Sequence, residues 1–198
     1  MKKNDIRTLT ECAILIALSV VLSLIRIWQM PLGGSVTLVS MLPVCVISVR
    51  HGCKWGLGSA FVYSLFQLLL GIISEGLLGW GLNAAMLIGC MAFDYIIAFS
   101  VLGFAGMFRK KGEIGIYAGI TTVCALRFVS HFLSGYVIFE NLGQWELFGS
   151  TFVSHPVLYS ICYNGFFMLP ELVLTLVVTV ILMRIPVVKN TIILSQEK

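Results

Sequence analysis

Six apolar runs, each closed off by charged residues or turn formers, take up most of the chain: roughly residues 8–28, 36–49, 55–74, 83–108, 114–139 and 157–185. A bilayer core of about 30 Å needs about 20 apolar residues per helix. The pattern therefore predicts an all-α, polytopic membrane protein of six transmembrane helices in a single domain. The second run is short, follows the turn signal Pro31-Leu32-Gly33-Gly34 and contains Pro43. It is expected to be tilted, kinked or only partly spanning. The last run holds Pro170, where a kink is expected whose freed backbone groups are satisfied by neighbouring helices.

Composition agrees. Of 198 residues, 59% are hydrophobic and only 11% charged, with a mean hydropathy of +0.99, against roughly 25% charged in an average soluble domain. An ordinary soluble enzyme and a disordered chain are both excluded. The net charge of +4 matters less than its placement. Eleven of the thirteen bases fall in four clusters: Lys2, Lys3 and Arg7; Arg50 and Lys54; Arg109 to Lys111; and Arg184, Lys189 and Lys198. With six spans, all four clusters lie on one side, so both termini are expected to be cytoplasmic. The alternate loops, 75–82 and 140–156, carry Glu75, Glu140 and Glu146 and no Lys or Arg. A cleaved signal peptide is disfavoured, because the first apolar run exceeds the usual core of about 7–15 residues. The six cysteines stand singly with no CxxC spacing, so neither a disulfide framework nor a metal site is expected.

Ionisable side chains in the hydrocarbon region are costly and point to function or to a partner. Asp94, Arg127, His131 and Glu171 lie deep, with Asn164 beside them. At a rise of about 1.5 Å per residue, Asp94 lies about 16 Å from the outer end of its helix, and His131 and Asn164 about 12 Å. These three share a layer in the outer half of the membrane. Arg127 and Glu171 come out deeper, at about 18 and 22 Å, where an ion pair between them is expected. Arg127, His131 and Gly135 recur every four residues and so share a helix face. Tyr95, Tyr136, Phe139, Tyr159 and Tyr163 surround the upper layer. Aromatic faces with a carboxylate suit a cationic, ring-containing ligand, and Gly135 gives a flat ring room to approach the backbone. In the competing arrangement Asp94 pairs with Arg127, while His131 and Asn164 bond helix to helix.

No GxxxxGK[ST] or HExxH motif occurs, which excludes a P-loop and a zinc peptidase of that kind. A binding or translocation subunit without a reaction centre fits best. A membrane-embedded hydrolase using Asp94, His131 and Glu171 is the alternative from another class.

Four segments in order carry a family likeness: Pro31 to Pro43; Phe93-Asp-Tyr-Ile-Ile-Ala-Phe99 with Gly103 to Phe108; Leu126-Arg-Phe-Val-Ser-His-Phe-Leu-Ser-Gly135; and Tyr159 to Gly165 with Met168-Leu-Pro-Glu171. Over nearly its whole length the chain resembles the thiamine-specific S component of energy-coupling factor (ECF) transporters. The resemblance implies a multi-pass protein of a prokaryotic cell membrane that takes thiamine from outside. Uptake would be driven by a coupling subunit and two ATPases, with no cofactor in this chain, no enzymatic activity and no nucleic-acid partner. It places the pocket at Asp94, Tyr95, His131, Gly135, Phe139, Tyr159 and Asn164. Asp94 would balance the thiazolium charge, Tyr95, Phe139 and Tyr159 would pack on the rings, and His131 and Asn164 would orient the ligand.

Two departures stand out. Phe139 replaces a stacking tryptophan of well-known members, and Gly34 stands where another member has one; Trp28, Trp80 and Trp145 are the candidates for the missing ring. A ligand other than thiamine itself, such as another vitamin or a thiamine precursor, is the runner-up within transport. On the first helix, Ala13 and Ala17 stand four apart, a spacing that allows close helix approach. The resemblance makes them the docking face for the coupling subunit.

Overall fold

The computed structural model describes residues 3–30, 33–138, 146–147, 150–151 and 155–193. Helix α1 (Lys3–Leu24) leads into a short antiparallel hairpin, β1 (Arg26–Gln29) and β2 (Ser35–Thr37), with Arg26 opposite Thr37 and Gln29 opposite Ser35. Helix α2 (Leu42–His51) and helix α3 (Cys53–Ser74) follow, separated only by Gly52, whose φ of +90° turns the chain. Then come α4 (Ala84–Phe104), α5 (Gly112–Val137), α6 (Pro156–Arg184) and the short α7 (Pro186–Ile193). A two-stranded pair, β3 (Glu146–Leu147) with β4 (Ser150–Thr151), lies between α5 and α6.

Among the described residues, five helices are long and apolar enough to cross a membrane: α1, α3, α4, α5 and α6. The second expected span, 36–49, is different. Its first residues are drawn into β2, and α2 has only ten residues, roughly 15 Å at helical rise and half a bilayer core. Pro43 explains the start, since it fits the first helical turn, where its missing N–H is not needed. Seven of the ten residues are buried, so α2 is a core helix enclosed by the others. In α6 the helix runs on through Pro170 without interruption.

Helix α4 carries the main local irregularity. Asn83 caps it, its side chain accepting from the Met86 N–H at 2.9 Å. Over Met91–Ile97 the helix widens into π-helical turns, a form that adds a residue per turn and is common at functional sites. One carbonyl there, that of Phe93, accepts the Ser130 hydroxyl of α5 at 2.6 Å.

At one end of the bundle the charges converge. Glu11 accepts from Arg7 (3.3 Å), Arg50 (3.2 Å) and His51 (3.0 Å), and Arg109 reaches the Arg50 carbonyl at 3.4 Å. Lys189 of α7 pairs with Glu113 at the start of α5 at 2.5 Å. Members of all four basic clusters therefore meet the same end, which is the arrangement the loop charges predict.

Candidate functional site

At the other end, α3, α4, α5, α6 and the hairpin enclose a cavity with about 90 Å³ of free interior. Its polar centre is a chain of side chains across α5 and α4. Arg127 Nε donates to His131 Nε2 at 3.3 Å, and His131 Nδ1 lies 2.9 Å from Asp94 Oδ1. The other carboxylate oxygen of Asp94 accepts from the Ser134 hydroxyl, and from Cys90 Sγ at 3.2 Å. One turn of α5 thus supplies both His131 and Ser134 to a single carboxylate. The adjacent residues Asp94 and Tyr95, in the π-helical turns of α4, both line the cavity.

Aromatic walls come mainly from α6. Tyr159, Tyr163 and Phe167 recur every four residues on one face. Tyr159 and Tyr163 stack with ring centroids 5.7 Å apart, and Phe167 meets His131 edge-on at 5.7 Å. The hairpin closes against this wall: Gly34 N–H donates to the Tyr163 hydroxyl at 3.3 Å, and a Cβ on Gly34 would lie only 2.9 Å from the Phe167 ring. A side chain at position 34 would have to displace the Phe167 ring and the Tyr163 hydroxyl.

A second carboxylate faces the cavity from the end of α3. Glu75 pairs with Arg26 of β1 at 3.1 Å and accepts the Tyr95 hydroxyl at 2.9 Å, while its carbonyl accepts Trp80 Nε1–H at 3.0 Å. Burial raises the Glu75 pKa above the ordinary carboxylate value; the Tyr95 hydrogen bond and Arg26 oppose that shift.

Below lies a smaller polar chamber of about 20 Å³, sharing Gln67, Glu75, Phe99 and Arg127 with the main cavity. Its floor is Glu171, which accepts the Thr37 N–H at 2.7 Å and sits 2.7 Å from the Thr37 hydroxyl. The expected Arg127–Glu171 ion pair does not form: among the described residues Arg127 has no carboxylate within 4 Å. Its guanidinium lies over the Phe99 ring, 4.3 Å from the centroid. Direct pairing of Arg127 with Asp94 is equally absent, because His131 stands between them. Glu171 instead anchors β2 to α6, a partner invisible in helical periodicity because it is a backbone N–H of a strand.

A family model described as "Thiamine transporter protein (Thia_YuaJ)" matches residues 9–190. The chain belongs to this thiamine transporter family. It is 29% identical over 189 residues to the thiamine transporter ThiT of Bacillus subtilis (strain 168), the match covering 88% of each chain. Its fold resembles that of the solved structure of ThiT from Listeria monocytogenes, with a TM-score of 0.70 at 22% identity, over 94% of this chain and 99% of that one. Like other members of the family, it is a multi-pass membrane protein.

For this family member, Asp94, Tyr95, His131, Gly135, Tyr159 and Asn164 all line one cavity. Phe139 and Trp145 lie outside the described residues. Tyr136 stacks on Phe132 and does not line the cavity. Of the candidate tryptophans Trp80 is at the cavity, whereas Trp28 is 53% exposed on the hairpin. Gly135 lines the cavity and also sets the approach of α5 to α6, since a Cβ there would collide with the Ser160 hydroxyl. Sequence reasoning missed Glu75, Gln67, Phe99 and Phe167. For Glu75 a signal existed, since it is the only charge in the loop of residues 75–82.

Proposed function

We propose that this chain is the substrate-capturing S component of an ECF-type transporter and that its cavity binds thiamine. One observation carries the reading. Three carboxylates, Asp94, Glu75 and Glu171, line the cavity and its lower chamber against two guanidiniums, Arg26 and Arg127. One negative charge is left over, which complements the single permanent positive charge of a thiazolium ring, and aromatic faces supply the packing that flat rings need. The name of the Bacillus subtilis relative agrees with this ligand.

Binding rather than catalysis is supported by the bonding of His131. Both its ring nitrogens are engaged, by Arg127 and Asp94, while Ser130 and Ser134 donate to Phe93 and Asp94. A nucleophile activated by this histidine has no place in that arrangement. Entry from outside, with both termini cytoplasmic, is supported by the basic end of the bundle lying opposite the cavity.

ATP-driven uptake requires other subunits. A broad apolar groove of about 720 Å³ runs between α1 and α3 on the bundle surface and is lined by Ala13 and Ala17. It is the surface we assign to the transmembrane coupling subunit, which brings the two ATPases. Equilibrium titration of purified protein with thiamine and its phosphates, read by tryptophan fluorescence, tests the ligand. Saturable one-to-one thiamine binding is expected; absence of binding, or turnover of the compound, overturns the reading.

A further inference from the structure

We propose that Arg127 is a positioning residue for capture: it fixes His131 as the neutral imidazole with its hydrogen on Nδ1, and so reserves the Asp94 charge for the ligand. The proposal rests on the reading of the cavity as a site for cationic thiamine.

A guanidinium has donors only. Arg127 Nε–H points to His131 Nε2 at 3.3 Å, so that nitrogen must present its lone pair. The single ring hydrogen then sits on Nδ1 and is donated to Asp94 Oδ1 at 2.9 Å. A second proton on Nε2 would face the guanidinium and set like charges in contact. His131 therefore orients Asp94 without neutralising it, and an incoming cation meets a carboxylate that has hydrogen bonds but no ion-pair partner.

Arg127 is itself held for this task. It is 7% exposed, its Nη1 contacts Met41 Sδ at 2.7 Å, and its plane covers the Phe99 ring. A buried guanidinium in a bilayer is costly, and here no carboxylate within 4 Å compensates it among the described residues. Besides Arg127, the ionisable groups around His131 and in the chamber below it are Cys90, Asp94 and Tyr95 on α4, Tyr159, Tyr163 and Glu171 on α6, Glu75 beyond α3 and Arg26 on β1. Of these only Asp94 touches a ring nitrogen, and Phe167 covers the ring edge-on.

Removing Arg127 frees Nε2 to take a proton, which the Asp94 carboxylate on the other ring nitrogen favours. The resulting imidazolium pairs with Asp94 and competes with the ligand. Thiamine affinity is measured for wild type, R127M and R127K between pH 7.5 and 5.5. The ratio of wild-type to R127M affinity is expected to rise at least about threefold on acidification, as His131 protonates in the variant. R127K, which keeps a cation at this place, is expected to hold its ratio level. A level ratio for R127M, or no rescue by lysine, overturns the proposal. Failure of the wild type to bind thiamine overturns the ligand reading instead. Should R127M not fold, ring ¹⁵N shifts of His131 in the wild type decide: neutral with Nδ1–H is expected at pH 6, and an imidazolium or an Nε2–H tautomer overturns the proposal.

Discussion

The Tyr95 hydroxyl donates to Glu75 Oε2 across 2.9 Å, joining the widened turns of α4 to the C-terminal end of α3. Through Arg26, the same carboxylate also holds the hairpin. Glu75 is therefore both a charge at the cavity and a tie between three elements.

Glu75→Gln should lower thiamine affinity by about tenfold, near the value of one partly screened charge, roughly 1.4 kcal/mol. Its pH dependence is diagnostic. Burial raises the folded-state pKa of Glu75 above its unfolded value. As pH falls through that raised value, the folded protein takes up a proton before the unfolded chain does, which favours folding while weakening capture of a cation. Relative to Glu75→Gln, wild type should thus lose affinity and gain melting temperature as acid is added from neutral pH towards 4.5. Parallel trends in wild type and variant would remove Glu75 from the site.

Asp94 is the more exacting case, since three hydrogen-bond donors, from His131, Ser134 and Cys90, converge on it. Asp94→Asn replaces an acceptor oxygen with an NH₂ that faces these donors, and it deletes a charge. A loss of at least about 2 kcal/mol, roughly 30-fold in affinity, is expected. Fluorescence titration checks the affinity and thermal unfolding checks that the fold survives. Unchanged binding would remove Asp94 as the counter-charge.

Gly135 tests packing apart from ligand contact. A methyl group there meets the Ser160 hydroxyl, and overpacking of this kind costs about 1–3 kcal/mol. Gly135→Ala should lower the melting temperature, and adding Ser160→Ala should restore part of it by removing the oxygen that is struck. A variant of unchanged melting temperature but weakened binding would show that the glycine serves the ligand instead.

The outer polar layer was legible because charges are scarce: Asp94, His131 and Asn164 could be ranked by depth from helical rise alone, and one cavity contains them all. What the sequence hid has physical causes. The stretch 36–49 reads as helix by apolarity, yet Ser35–Thr37 find strand partners at Arg26–Gln29, a non-local pairing with no periodic signal. The π-helical widening over Met91–Ile97, which holds Asp94 and Tyr95, leaves no mark in the apolar pattern. Glu171 and Arg127 have matching depth and opposite charge, but side-chain direction sends one to Thr37 and the other to Phe99 and His131. Depth arithmetic gives layers; it does not give direction.

Ala13 and Ala17 separate docking from capture. Both are exposed on α1, four residues apart, and border the apolar groove against α3 at a distance in sequence from every cavity residue. Small side chains at that spacing permit a partner helix to approach closely in lipid, where van der Waals contact replaces the hydrophobic effect as the driving force. Indole rings at both positions fill the groove without touching the carboxylates or the aromatic wall. Ala13→Trp with Ala17→Trp should therefore leave thiamine affinity within about twofold of wild type, a change of only about 0.4 kcal/mol, while abolishing uptake by cells that supply the coupling subunit and ATPases. Persistence of uptake would place the docking face elsewhere on the bundle. A parallel loss of binding would show that α1 shapes the cavity through the hairpin it precedes.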